Sequence, residues 1–140
     1  MANMSNYLEK KVLDHLFRGT PYTAPQSVYI ALCNDTLDDT IILGSALPEV
    51  AGGNYERKEV PSNPTKWTAP DDDGIIKNEE EIKWERVTWE DTVKAIAIMD
   101  SATPQQGNVL FWGDLTREKV VTEDDSISFA AEALSIQIDN

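Results

Sequence analysis

The chain has 140 residues, of which 25 are acidic and 12 are basic, so its formal net charge is -13. This length predicts one domain around a single hydrophobic core. The negative charge would repel a phosphate backbone, so we expect no direct binding of nucleic acid. Because no long uninterrupted apolar run occurs, we expect neither a membrane span nor a signal peptide, and synthesis in the cytosol.

The first predicted element is a short amphipathic helix over 6–18. Asn6 and Glu9 form a capping-box pattern, and Arg18 and Gly19 supply a last-turn cation and a C-cap glycine. A helix this short must bury its apolar face against its own sheet or against a neighbouring subunit, and the sequence leaves both open. That face consists of Leu8, Val12, Leu13, Leu16 and Phe17.

From Ser27 onward the pattern is typical of an all-β protein. Apolar runs rich in β-branched and aromatic residues alternate with clusters of Gly, Pro, Asn and Asp. The apolar alternation changes phase near Glu132 and between Trp84 and Val87, which predicts a bulge or a tight bend at each place. The predicted strands span 27–33, 54–60, 82–89, 93–99, 108–113, 118–122, 126–131 and 133–138.

These elements predict an antiparallel β-sandwich of jelly-roll type preceded by one N-terminal α-helix. We expect 1–22 to be a helix and arm belonging to the same unit, and 23–140 to be the single sandwich domain. The pair Gly52–Gly53 precedes a strand rather than a helix, so its expected use is a turn with positive φ.

Two segments, 34–47 and 61–81, are predicted to be loops. A structureless loop as long as the second is uncommon in a compact domain, so we expect it to be functional or ordered by a partner. Trp67 within it favours ordering, either as an anchor in the core or as a contact with another subunit.

Side chains that could support catalysis are few. The only histidine, His15, has no evident nucleophile beside it, and the only cysteine, Cys33, is expected to be a buried thiol at the end of a strand. One cysteine and one histidine cannot form a structural zinc site. The acidic clusters at 35–39, 71–74 and 124–125 fit turns better than a calcium loop, although calcium binding stays open. We therefore expect no enzyme, cofactor or resident metal.

The chain resembles a family of small structural proteins of tailed bacteriophages, usually labelled tail fibre proteins. The resemblance covers most of the chain, in the order and type of its segments rather than in any catalytic signature, and it implies a component of the virion made in the host cytoplasm. The segments that carry it are 5–20, the Gly52-Gly53-Asn54-Tyr55-Glu56-Arg57 stretch, Trp84, Val87, 96–100, 107–115 and 129–134.

Within that class the small size, acidic surface and lack of repeats favour a capsid decoration or cement protein, which would bind the major capsid protein and stabilise the assembled head. The alternatives are a tail fibre or baseplate subunit that contacts other tail proteins, and a carbohydrate- or receptor-binding β-sandwich module. Particle symmetry favours a homodimer or homotrimer. The residues expected to contact a partner are Tyr7, Leu8, Lys11, Arg18, Tyr22, Ile41, Ile42 and Trp67.

Overall fold

Nine β-strands and one α-helix make up the computed structural model, which describes residues 2–138. The predicted fold class, mainly β and antiparallel with one helix near the N-terminus, is confirmed. The elements are β1 (Asn3–Met4), α1 (Asn6–Phe17), β2 (Ser27–Cys33), a 3-10 turn (Gly44–Ala46), β3 (Lys58–Pro61), β4 (Ile75–Lys77), β5 (Ile82–Trp84), β6 (Asp91–Met99), β7 (Val109–Val121), β8 (Ile127–Phe129) and β9 (Ser135–Gln137).

The strands form one large antiparallel sheet and two small ones. The large sheet has the order β1-β7-β6-β2-β3, while β4 pairs with β9 and β5 pairs with β8. A jelly roll has eight strands in two sheets built from Greek keys. The described strands divide instead into groups of five, two and two, so the jelly-roll part of the prediction is not confirmed.

The main core lies between the large sheet and the two small sheets. Ile30 and Leu32 of β2 and Ile96 and Ile98 of β6 supply one wall of this core. The opposite wall comes from the small sheets and their flanks, so the arrangement is sandwich-like with buried side chains interdigitating between layers. The residues of this opposite wall are Ile82, Trp84, Val87, Trp89, Ile127, Phe129, Leu134 and Ile136.

The other face of the large sheet is also buried, which explains the continuous apolar runs in β2 and β6. Alternate residues, such as Ala31 and Cys33 in β2, point into this second cluster. Leu37 and Leu47, from the segment that follows β2, pack against them. Small side chains at these positions allow the covering segment to approach the sheet closely.

The helix begins at Asn6, as predicted, but its N-cap is Ser5 rather than Asn6. The Ser5 hydroxyl accepts a hydrogen bond from the backbone N–H of Leu8 at 3.2 Å and donates to the carbonyl of Val109 at 2.5 Å. The predicted capping box of Asn6 and Glu9 is therefore wrong, since the residue three positions after the true cap is Leu8, which cannot return the hydrogen bond. The helix ends at Phe17, one residue before the predicted end; Arg18 is its C-cap, and Gly19 follows with the expected positive φ of 67°.

Several strand boundaries also differ. The predicted strands 108–113 and 118–122 are one long strand, β7, and 54–60 and 82–89 shorten to Lys58–Pro61 and Ile82–Trp84. The predicted bends are present: Arg86 has φ 45° and Glu132 has φ 64°. Both residues adopt the left-handed region, which reverses the phase of the apolar side chains on either side.

The segment 61–81 is ordered by the protein itself rather than left as a loop. It contains β4, and buried Asn78 ties it to the end of the chain. The Asn78 side chain donates to the carbonyls of Glu80 and Ala130 and accepts from the N–H of Leu134, all within 3.0 Å. These bonds satisfy its buried amide and fix the segment against the body.

Candidate interaction surface

The first turns of the helix anchor it to the large sheet. Leu8 is buried in a small cluster with Met4 and Leu110 of β7, and Tyr7 and Tyr22 pack against this cluster. Of the residues predicted to contact a partner, Tyr7, Leu8 and Tyr22 therefore come together at the base of the helix. Leu8 is occupied by contacts within its own chain.

Burial raises the pKa of the phenol groups of both Tyr7 and Tyr22, and the negative charge of Asp100 raises them further. For Tyr22, the charge that Tyr7 would carry on ionisation raises the pKa as well, and by more than Asp100 does. Both phenols therefore stay neutral at physiological pH and act as apolar bodies with one polar tip.

The predicted cations of the helix are partly engaged within the chain. The Lys11 ammonium lies 5.6 Å from the centre of the Tyr7 ring, within cation–π range. The Arg18 guanidinium is 3.3 Å from the carboxylate of Asp14, and both groups are exposed. An exposed pair of this kind contributes little to stability, so Arg18 stays available to a partner.

The remaining predicted residues lie apart from the helix base. Ile41 packs against the second cluster of the large sheet, and the carbonyl of Ile42 accepts a hydrogen bond from the N–H of Val109 at 2.9 Å. Trp67 packs against the main core and pairs with Asn78 in a β-bridge. The structure thus favours the reading of Trp67 as an anchor, although part of its ring remains accessible.

The second half of the helix exposes its apolar residues. The predicted apolar face is split, because Leu8 is buried whereas the exposed fractions are 56% for Leu13, 66% for Leu16 and 79% for Phe17. We call these three residues the helix tip. Large apolar side chains grouped on one exposed face are characteristic of an interaction surface rather than of an ordinary soluble surface.

A second apolar surface lies in front of the segment 61–81. It is an open groove of about 1080 Å³, which we call the apolar groove, and polar groups are few along it. This volume slightly exceeds the roughly 300–1000 Å³ typical of small-molecule sites. The side chains that define it include Val28, Trp67, Ile76, Phe111, Ile136 and Ile138.

The groove and the helix base share residues, so the two surfaces are neighbours. Val28 and Phe111 line the groove and also pack against the cluster that holds Leu8. None of the helix-tip residues lines the groove. Sequence patterns indicated the apolar helix face and Trp67 but not the groove, whose walls come from distant parts of the chain.

The only cysteine and the only histidine of the sequence, Cys33 and His15, differ in their exposure. Cys33 is completely buried, and burial raises the pKa of its thiol. His15 is exposed on the helix, where its Nδ1 accepts a hydrogen bond from the N–H of Tyr22 at 3.1 Å. Within residues 2–138 no cluster of three or more His, Cys, Asp or Glu side chains is placed to hold a metal ion. Nor does any helix in that range have the length and apolarity to cross a membrane.

A β-sheet protein that exposes two apolar surfaces, here the helix tip and the apolar groove, has the features of an interaction or structural module. The comparison with family models agrees with this class. The model described as "Podophage GP4 fiber I protein gp80" matches residues 3–137, nearly the whole chain, and the chain belongs to this family. No curated protein matches it.

This family membership confirms the resemblance to phage structural proteins that the sequence indicated, and it places the chain among phage fibre proteins. It corrects the order of the predicted roles. The sequence favoured capsid decoration because the chain is short and has no repeats, whereas the family supports the tail fibre alternative. A short chain without repeats is compatible with a fibre when the repeated unit is a whole subunit.

Proposed function

We propose that this protein is a structural subunit of a phage tail fibre. The observation that carries the proposal is the match of the fibre family over residues 3–137, which includes the helix, the large sheet and both small sheets. The exposed helix tip and the apolar groove support it, since a fibre is held together by contacts between subunits.

The role follows from binding rather than from turnover of a substrate. The buried thiol of Cys33 and the exposed imidazole of His15 are not joined by a hydrogen bond in the described range, and nucleophilic catalysis would need such a contact. The groove is lined mainly by apolar side chains, whereas a bound sugar would bury hydroxyl groups that need hydrogen-bond partners. A contact with protein therefore suits this surface better than a contact with carbohydrate.

Immunogold electron microscopy of virions tests the location. Antibodies raised against the purified chain are expected to label the tail region and to leave the head unlabelled. Labelling spread over the head would overturn the fibre proposal and restore the capsid decoration role. Antibody against the major capsid protein serves as the control, because it must label the head of the same particles.

A further inference from the structure

The helix tip presents three large apolar side chains to solvent. Phe17 is the most exposed of them, at 79%. The helix packs against the sheet through its first half, where Leu8 is buried with Leu110 and Met4 and Val12 packs against them. The apolar side chains of its second half remain exposed, so burying them against another surface would be favourable.

The apolar groove is concave, and its lining is mainly apolar, like the helix tip. Trp67, Ile76 and Phe111 are partly buried side chains that line it and also pack against the main core. Because its walls are anchored in this way, the groove is largely formed before anything binds. Its volume of about 1080 Å³ is large enough for several side chains, since a pocket of roughly 300–1000 Å³ holds a drug-sized molecule.

The charges of the two surfaces are complementary. The helix carries Lys10, Lys11 and Arg18 against Glu9 and Asp14. The segment beside the groove carries Asp71, Asp72, Asp73 and Glu79–Glu81 against Lys66 and Lys77, and Glu79 itself lines the groove. The helix is thus net positive and the groove segment net negative, which favours the approach of one to the other.

Within one copy the helix tip does not line the apolar groove. The helix base packs against Val28 and Phe111 at the side of the groove, but the tip residues do not line it. We propose that the helix tip of one copy inserts into the apolar groove of the next copy. Such a contact is heterologous, so repeating it produces a closed ring or an open filament.

This contact rests on the proposed function, because a fibre repeats one contact between subunits along or around an axis. The two can fail separately. Self-association is measured on purified protein, whereas the location is measured on virions, so a failure of either leaves the other result standing.

Sedimentation velocity of two complementary variants tests the contact. Leu16→Gln with Phe17→Gln removes the tip but leaves the groove, and Ala69→Arg places a cation and added bulk at an exposed position of the groove while leaving the tip. Each variant alone is expected to self-associate about 100-fold more weakly than wild type. An equimolar mixture is expected to form a 1:1 heterodimer that grows no further, because it joins one intact tip to one intact groove.

Val120→Gln is the matched control, since Val120 is an apolar residue 70% exposed at a different place, and it is expected to assemble as wild type does. Circular dichroism and the melting temperature check that each variant is folded. The proposal is overturned if wild type stays monomeric at every concentration, which would assign both surfaces to a different protein. It is also overturned if Ala69→Arg assembles normally, which would indicate tip-to-tip packing, or if the mixture forms no heterodimer.

Discussion

Glu49 and Arg57 form a buried, two-point ion pair. The Arg57 Nε and Nη2 atoms donate to the two carboxylate oxygens of Glu49, each at 2.9 Å, and both side chains are completely buried. The remaining Arg57 nitrogen, Nη1, donates to the carbonyls of Ser101 at 2.7 Å and Gln106 at 3.0 Å. The pair therefore joins the segments that carry Glu49 and Arg57, both before β3, to the connection between β6 and β7.

The carboxylate of Glu49 is satisfied from other sides as well. The Tyr55 hydroxyl donates to it at 2.6 Å, and the backbone N–H of Gln105 donates at 3.0 Å. Burial disfavours the charged form, but these hydrogen bonds and the one from Arg57 outweigh it, so the pKa of Glu49 lies below its usual value. Burial, followed by the same negative charge of Glu49, raises the pKa of Tyr55 and keeps its hydroxyl protonated.

Arg57→Met is expected to lower the free energy of unfolding by about 3–5 kcal/mol, because it leaves the carboxylate of Glu49 buried without its counter-ion. Urea titration measures the change. Lys58→Met is the matched control: the Lys58 ammonium pairs with the exposed carboxylate of Glu56 at 3.0 Å, and this variant is expected to lose less than about 1 kcal/mol. Equal losses would show that the buried pair has no special role.

Glu49→Gln is expected to change how stability depends on pH. The folded-state pKa of Glu49 lies below the unfolded value of about 4.3, so its stabilisation is complete above that value and is lost as the pH falls through the folded pKa. The difference in unfolding free energy between wild type and Glu49→Gln should therefore be constant near pH 7 and shrink below about pH 4. A difference that does not change with pH would contradict the assignment, and Glu56→Gln provides the exposed control.

The thiol of Cys33 is expected to resist labelling in the native protein. Its side chain is fully buried, and burial, followed by the charge of Glu49, raises its pKa, so almost no thiolate forms. Reaction with a thiol reagent should be at least about 1000-fold slower than in denaturant, because it requires unfolding. Val120→Cys supplies an exposed thiol for comparison. Rapid labelling of native wild type would show that the second face of the sheet opens easily.

Trp84→Phe is expected to lower the free energy of unfolding by about 1–2 kcal/mol more than Trp89→Phe does. Both indoles are buried in the same core cluster and would lose the same atoms. The Trp84 Nε1–H donates to the carbonyl of Glu56 at 2.7 Å, whereas the Trp89 Nε1–H has no partner within the described residues. Thermal or urea unfolding of the two variants measures the difference, and equal losses would mean that the hydrogen bond of Trp84 adds nothing.

Gly53→Ala is expected to lower the free energy of unfolding by at least about 2 kcal/mol more than Gly52→Ala does. Both glycines have positive φ, at 51° and 95°, so both variants share the cost of a left-handed backbone. A Cβ on Gly53 would lie 2.4 Å from the carbonyl oxygen of Thr88, whereas a Cβ on Gly52 would meet nothing within 4 Å. Comparable melting temperatures for the two variants would contradict the close approach.

Strand β2 and the helix end could be predicted because their signals are local. The run 27–33 is a continuous apolar stretch bounded by polar residues, and the structure has β2 over Ser27–Cys33. Gly19 after Arg18 marked the end of the helix, and the phase changes marked the bends at Arg86 and Glu132. In each case neighbouring residues carry the information, since apolar periodicity and positive φ are properties of a short segment.

The N-cap and strand β4 could not be predicted, because distant residues decide them. Ser5 caps the helix while its hydroxyl bonds to Val109, which is 104 positions away. β4 is only three residues long, and it is a strand because β9, near the other end of the described chain, pairs with it. Short strands of this kind are stabilised by their partner rather than by their own sequence.

The sequence by itself therefore determined the fold class, the amphipathic helix and the resemblance to phage structural proteins, because composition and periodicity are readable along the chain. Only the tertiary structure decided which half of the helix is buried. It placed Leu8 against β7 and left Phe17 in solvent. It also formed the apolar groove from Val28, Trp67 and Ile136, since a concave surface exists only when packing brings distant segments together.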